Sequence, residues 1–381
     1  MATWMPGHGL YKMIKAKHFI PAAAAPVAVL GLCLGLLGAC STPQTAAQTA
    51  GEADRPAHHG DDGFRNPYLV PEERSFFSYL RMRWFGDTEW ADYQATADRV
   101  PTVQTPLEQI MDPPPQVPQI TWIGHATVLV QYAGINILTD PIFSQRASPF
   151  SFMGPKRATQ PALSIEQLPE IHIVLISHNH YDHLDECTVK AIGDGAAWLV
   201  PLEYQAWFAE RGVTNVIEFD WWDSREIGGA RVTATPSQHW TGRGLLDRYE
   251  QLWAAWAVQI DGFKFWFGGD TGYRQKIFTE IGRRLGPFDL GLIPVGGYAP
   301  RWFMKDMHVN PEEAVQLHRD IGARFSLGIH WGAFPLTAEP IDEPPARLRR
   351  AARSLTDSQF VTFPVGKTAR LDGFKSVSGP P

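Results

Sequence analysis

Four side chains of metal-ligand type crowd into one hexapeptide, His178-Asn179-His180-Tyr181-Asp182-His183. His178 and His180 are two residues apart, so in extended backbone they face the same way, and Asp182 and His183 follow at once. Burying so many imidazoles and carboxylates is costly unless a cation satisfies them. Neutral imidazole nitrogen and carboxylate oxygen suit Zn2+ and its transition-metal neighbours rather than Ca2+. Three further candidates each come directly after an apolar run: His239 after residues 232–236, Asp270 after 265–269, and His330 after 325–329. With the hexapeptide they make seven ligands. That is the number two metal ions need if each is to keep a position open for solvent.

Bringing these residues together requires strands that end at a common rim. The hexapeptide itself follows Ile173-Val174-Leu175-Ile176. From residue 119 onward, short β-branched runs alternate with helical patterns. The pattern predicts strands over 120–132, 135–139, 171–177, 198–200, 216–219, 230–235, 252–260, 263–267, 290–295, 324–329 and 359–363. Helices are predicted over 185–192, 203–211, 274–285, 311–321 and 346–354. The fourth helix has a clear start, with Asn310 to cap, Pro311 at the first helical position and Glu313 to complete a capping box. Strands interleaved with helices, with hairpin-like pairs early on, predict an α/β layered sandwich, the architecture in which sites gather at a sheet rim. No internal repeat is visible.

The succession His-x-His-x-Asp-His, then His, Asp and His, resembles the metallo-β-lactamase superfamily, whose fold is an αββα sandwich. Further motifs are Thr121-Trp122-Ile123-Gly124-His125-Ala126-Thr127, Leu138-Thr139-Asp140-Pro141-Ile142-Phe143, Gly154-Pro155-Lys156-Arg157, Gln238-His239-Trp240, Gly269-Asp270-Thr271-Gly272-Tyr273, Pro300-Arg301-Trp302-Phe303-Met304 and Ile329-His330-Trp331-Gly332. Over residues 119–370 these resemble the N-acylphosphatidylethanolamine-hydrolysing phospholipase D branch. The resemblance implies two zinc ions, or iron or manganese on the same ligands. His178, His180 and His239 would hold one ion, Asp182, His183 and His330 the other, with Asp270 bridging. It implies that Tyr181 and His308 touch substrate, and that Asp270, Asp182 and His308 take part in catalysis. Two such ions acidify a shared water for attack at phosphorus. On the branch's lipid, that attack yields N-acylethanolamine and phosphatidic acid. Two alternatives stay open: a hydrolase of the same fold acting on a lactone, amide or cyclic phosphate ester, and an envelope lipoprotein using metal only structurally.

Other residues are read from their setting. His125 reads as a structural or supporting group rather than a ligand, and Asp140 and Asp185 as orienting imidazoles through their second ring nitrogen. Arg301 and Lys156 are candidate phosphate contacts. Trp240, Trp302, Phe303, Met304, Trp331 and Phe334 flank motif positions, where they form either an acyl-chain groove or core around the site.

The chain of 381 residues, 44% hydrophobic and 19% charged, has enough apolar content for a sizeable core. Its net charge of −6 leaves no basic excess for a nucleic-acid backbone. Residues 1–39 read as a signal peptide: Lys12, Lys15 and Lys17 precede an uncharged apolar stretch ending in Leu37-Gly38-Ala39-Cys40. This end resembles a bacterial lipobox, which implies a lipid on Cys40 and a place on the periplasmic side of the cell envelope, at a membrane surface; Ser41 is compatible with the outer membrane. Residues 40–66 read as a flexible tether in which His58 and His59 are solvated. Residues 67–118 read as an extension with a helix over 72–85 and a proline run, Pro113-Pro114-Pro115, and 119–375 as the hydrolase domain. Cys33 and Cys40 belong to the leader, and Cys187 reads as a small core residue.

Overall fold

The structure is a computed structural model that describes residues 55–69 and 76–372. The leader, both of its cysteines and the first part of the tether lie outside the described residues.

Two seven-stranded sheets are built in chain order. The first holds β1 (Gln119–Gly124), β2 (Thr127–Tyr132), β3 (Ile135–Thr139), β4 (Ile173–Leu175), β5 (Ala197–Pro201) and β6 (Val216–Phe219). The second holds β7 (Ser224–Ile227), β8 (Ala230–Thr235), β9 (Ala255–Ile260), β10 (Phe263–Phe267), β11 (Phe288–Pro294), β12 (Ala323–Ile329) and β13 (Gln359–Val361). The last strand, β14 (Thr368–Arg370), returns to pair antiparallel with β1. Both sheets follow one plan. Antiparallel neighbours come first, β1–β2–β3 and β7–β8–β9–β10, and parallel strands follow, β3–β4–β5–β6 and β10–β11–β12–β13.

The helices are α1 (Phe76–Phe85), α2 (Leu107–Met111), α3 (Glu186–Ile192), α4 (Gln205–Ala209), α5 (Gln275–Leu285), α6 (Arg301–Met304), α7 (Pro311–Asp320) and α8 (Glu343–Ala351). Parallel neighbours need crossovers: α3, α4, α5, α7 and α8 supply those that follow β4, β5, β10, β11 and β12, and a long loop over 140–172 joins β3 to β4. The α7 start forms as its residues dictate: Asn310 Oδ1 accepts from the Glu313 N–H, and the Glu313 carboxylate accepts from the Asn310 N–H.

The β4 run is apolar throughout because it is covered on both sides. Ile173 and Leu175 point into the space between the sheets, with Trp122, Leu199, Trp256, Phe265, Phe267 and Leu327. Val174 and Ile176 point outward against Val189 of α3 and Phe208 of α4. The run over 120–132 breaks into two strands, because His125 turns the chain with φ +54. Strands β7 and β14 escape the sequence reading. Exposed Ser224, Arg225 and Glu226 give β7 no apolar alternation, and β14 is a three-residue edge strand.

Three expectations are corrected. Residues 55–66 are not a solvated tether: Phe64 is buried, its N–H donates to Tyr249 O, and His58 stacks on Trp221. Apolar Phe64 and the two imidazoles find partners that composition did not suggest. Cys187 is exposed rather than core, because it falls on the outer side of α3 while Thr188 and Val189 face in. Asp185 touches no imidazole, as described below. Among the described residues, no helix is long and apolar enough to cross a membrane.

Candidate metal centre

One rim of the sandwich collects the ends of many strands. Strands β1, β3 and β4 run in one direction within the first sheet, and β8, β10 and β12 in one direction within the second. Beyond their C-terminal ends come His125 after β1, Asp140 after β3, the hexapeptide after β4, His239 after β8, Asp270 after β10 and His330 after β12. His308 arrives from the loop between β11 and α7.

The seven side chains singled out as ligands converge into two adjoining groups. In the first, His178 Nε2 lies 2.8 Å from His180 Nδ1, and His239 Nε2 lies 3.3 Å from that same atom. In the second, Asp182 Oδ2 lies 3.2 Å from His183 Nε2 and 3.3 Å from His330 Nε2. Asp270 Oδ2 stands between them, 3.2 Å from His183 Nε2 and His330 Nε2, 4.0 Å from His178 Nε2 and 3.9 Å from His239 Nε2. Its loop approaches closely because residue 269 is glycine: a Cβ there would sit 2.3 Å from the Ser177 Cβ, and φ is +54.

Hydrogen bonds at the back of the rings decide which nitrogen faces inward. His183 Nδ1 donates to Asp140 Oδ2 at 2.6 Å, and His239 Nδ1 donates to the Met307 carbonyl at 3.0 Å. His178 Nδ1 is 2.8 Å from Ser177 Oγ, whose own proton goes to Asp140 Oδ2 at 2.5 Å. With Nδ1 holding the proton in these three rings, each Nε2 lone pair is turned to the centre. Asp140 thus supports two rings, one directly and one through Ser177. Ser177 was not foreseen: a serine before a histidine is too common a pair to stand out. Asp185 instead accepts from the Phe143 and Ser144 N–H groups and from the Ser144 and Thr188 hydroxyls, pinning a loop to the start of α3.

The donor set fits metal. His180 Nε2, His183 Nε2, Asp270 Oδ1, His308 Nδ1 and His330 Nδ1 are buried without a hydrogen-bond partner. Three imidazole nitrogens, two of them within 3.3 Å of His180 Nδ1 and without a proton to share, are satisfied by a common cation. The electrostatics agree. Burial drives His178, His180, His239 and His308 towards the neutral, ligating form, the last three to about 3. In the second group burial also opposes charge on His183 and His330, but Asp182 and Asp270 outweigh it and raise both above the usual value, His330 to about 9, so without an ion these rings hold protons that a cation would displace on binding. Burial would raise the two carboxyls as well, yet the surrounding imidazoles keep both ionised.

The remaining candidates divide. His125 lies inside the second group, its Nε2 2.8 Å from Asp182 Oδ2 and its ring 4.3 Å from that of His330, so it steadies a carboxylate of the cluster. His308 Nδ1 is 3.8 Å from Asp270 Oδ2. Tyr181 turns its hydroxyl to the Arg243 carbonyl and its ring under the Arg243 guanidinium, lining a separate cavity of about 1160 Å3. Arg301 reaches the His308 carbonyl and Glu313, so it fixes the His308 loop, and Lys156 stands exposed on the surface. Trp331 and Phe334 are buried, Trp240 covers the His180 ring at 4.2 Å, and Trp302 is 65% exposed. The flanking aromatics therefore have no single role.

Residues 135–331 match the family model described as the β-lactamase superfamily domain. The chain is 44% identical over 263 residues to N-acyl-phosphatidylethanolamine-hydrolyzing phospholipase D 1 of Caenorhabditis elegans, covering 65% of this chain and 74% of that one. It is 38% identical over 240 residues to the mitochondrial N-acyl-phosphatidylethanolamine-hydrolyzing phospholipase D of Saccharomyces cerevisiae, covering 61% and 51% of the two chains. Igni18, a metallo hydrolase of Ignicoccus hospitalis, shares the fold with a TM-score of 0.51 at 18% identity, over 67% of this chain and 98% of its own. The convergent rim, the inward lone pairs and these likenesses lead to one statement: the chain belongs to the β-lactamase superfamily, on the branch of the N-acyl-phosphatidylethanolamine-hydrolysing phospholipases D, and is a metal-dependent hydrolase.

Proposed function

We propose that the protein is a di-zinc phosphodiesterase of phospholipase D type. Its substrate would be an N-acylphosphatidylethanolamine-like lipid, cleaved to N-acylethanolamine and phosphatidic acid. The observation that carries this reading is the placement of Asp270 Oδ2 between a three-imidazole group and an Asp182, His183 and His330 group. Names of the relatives in worm and yeast supply the substrate class.

His178, His180 and His239 would hold one cation, Asp182, His183 and His330 the other, and Asp270 would touch both. A pair of divalent cations supplies Lewis acidity and an acidified water for in-line attack at phosphorus. Asp270, ionised and pinned among four imidazoles, fixes the spacing of the two ligand groups. Asp182 is steadied by His125 on its outer side. His308, fastened by Arg301 through its carbonyl and cradled against Gly297, presents a ring nitrogen to the same space. There it is placed to meet a phosphoryl oxygen or, having taken the proton released by the attacking water, to pass it to the departing ethanolamide oxygen. The water oxygen joins phosphorus, the bond from phosphorus to the ethanolamide oxygen breaks, and one proton of the water ends on the alcohol released. Tyr181 would meet the substrate from the cavity side. The lipobox-like end at Cys40 favours lipid anchoring at the envelope, close to such a substrate.

Purified protein loaded with zinc should release N-acylethanolamine from phospholipid vesicles, followed by mass spectrometry. Asp270→Asn should lower the rate by about 100-fold or more. An unchanged rate in that variant, or turnover of lactones or amides with none of the phospholipid, overturns the reading.

A further inference from the structure

A second cluster of ligand-type side chains lies in the segment expected to be a tether. His58 Nε2 is 2.6 Å from Asp220 Oδ1, and His59 Nε2 is 2.8 Å from Asp220 Oδ2. One carboxylate is therefore flanked by two imidazole nitrogens, one on each oxygen, and all these atoms lie within 4.8 Å of one another. None of the three residues belongs to the cluster described above.

The arrangement is built rather than accidental. A tight turn closes the segment, with Gly60 N–H donating to Gly63 O and Arg65 N–H to His58 O. His58 is stacked on the Trp221 indole at 4.2 Å and 22°, and His59 is held edge-on to Phe64 at 5.2 Å. The two rings stand 4.6 Å apart at 76°, close to the 4.6 Å and 75° of His178 and His239. Asp220 follows β6 and is oriented by donation of its own N–H to Asp223. Burial would raise the Asp220 carboxyl, but His58 keeps it below the usual value, so it stays an anionic ligand. The side chains of His59 and Asp220 are 27% and 23% exposed, which leaves an entry path from solvent.

We infer that His58, His59 and Asp220 form an additional site for a divalent transition ion of zinc type. Two imidazoles and a carboxylate that offers both oxygens make a donor set of the right chemistry, with room for solvent to complete it. The ion would clamp the segment around residues 55–66 onto the end of β6. The same segment reaches the hydrolytic cluster, where Asn66 donates to the His239 carbonyl at 2.7 Å. The clamp would thus steady a strand end that carries a ligand of that cluster.

The test is zinc stoichiometry of the intact purified protein after gel filtration, with calorimetric titration of Zn2+. The wild type should bind one equivalent more than His59→Ala or Asp220→Asn, and zinc should raise its Tm further than theirs. A second measurement uses the wild type alone. Diethylpyrocarbonate modification of His59, mapped by mass spectrometry, should fall at least about tenfold on zinc addition, the occupancy expected at ten times Kd. Equal uptake by the wild type and folded variants, or modification of His59 that zinc leaves unchanged, overturns the site and leaves a plain imidazole–carboxylate hydrogen-bond cluster.

Discussion

At the scale of residues, the chemistry rests on which ring nitrogen carries the proton. Three of the converging histidines are fixed in one tautomer by groups behind them, and Asp140 stands behind two, accepting from His183 directly and from His178 through Ser177. It is fully buried and receives the Ser177 N–H at 2.7 Å, so it cannot turn away. Asp140→Asn keeps the shape but offers a neutral amide to the His183 ring. The expected result is a 10–100-fold loss of metal affinity without loss of fold, measured by chelator competition beside circular dichroism. An affinity equal to that of the wild type would show that Asp140 does not set the imidazole orientation.

Helices and strands place these residues, and their own packing contains titratable groups. His318 of α7 is fully buried, hydrogen-bonded to Ser326 of β12 at 2.7 Å and to Ser358 at 2.7 Å. Burial lowers it to about 4, with Arg319 adding to the effect. A pKa depressed in the folded state means that the unfolded chain binds the proton more readily. The stability contribution is therefore complete above the ordinary histidine value of about 6.5 and is lost as pH falls from there through 4. The full effect is about 3 kcal/mol. Urea midpoints at pH 7 and pH 4.5 should diverge less in His318→Gln than in the wild type. Equal divergence would place the acid sensitivity elsewhere. This element bears on function because the cap of α7, Asn310, stands two residues beyond His308.

The whole molecule works because two sheets lean together and bring their rims to one place. Trp256 on β9 of the second sheet crosses the gap and donates its indole N–H to the Ile176 carbonyl, two residues before His178. Trp253 and Trp266 are similarly buried and bonded, to the Ser237 carbonyl just after β8 and to the hydroxyl of Thr235, the last residue of β8. These tryptophans are structural ties between a sheet and the loops that carry ligands. Trp256→Phe keeps most of the apolar surface and removes the bond, at a cost of about 1–3 kcal/mol for the carbonyl left unpaired. Guanidinium unfolding of the wild type and variant measures it, and a cost near zero would mean that the tie is replaceable by packing.

Much of this was legible in the chain itself, because it is local. The His178 to His183 hexapeptide, the apolar run before it, the Asn310 cap and the alternation of strands with helices all show in neighbouring residues, where side-chain type and backbone period act directly; the αββα layering was implied by the family resemblance. His239, Asp270 and His330 were weak candidates one by one, each legible only as a polar residue after an apolar run, and the family pattern added to that reading; their distances to Asp182 and His183 are set by strand pairing over more than 50 residues of chain. Ser177 behind His178, the exposure of Cys187 and the loop-pinning role of Asp185 were decided by packing alone. So was the meeting of His58 and His59 with Asp220, 161 residues away for the nearer pair. Sequence carries donor chemistry and local periodicity, whereas the choice of partner depends on which strand ends the two sheets bring to the same rim.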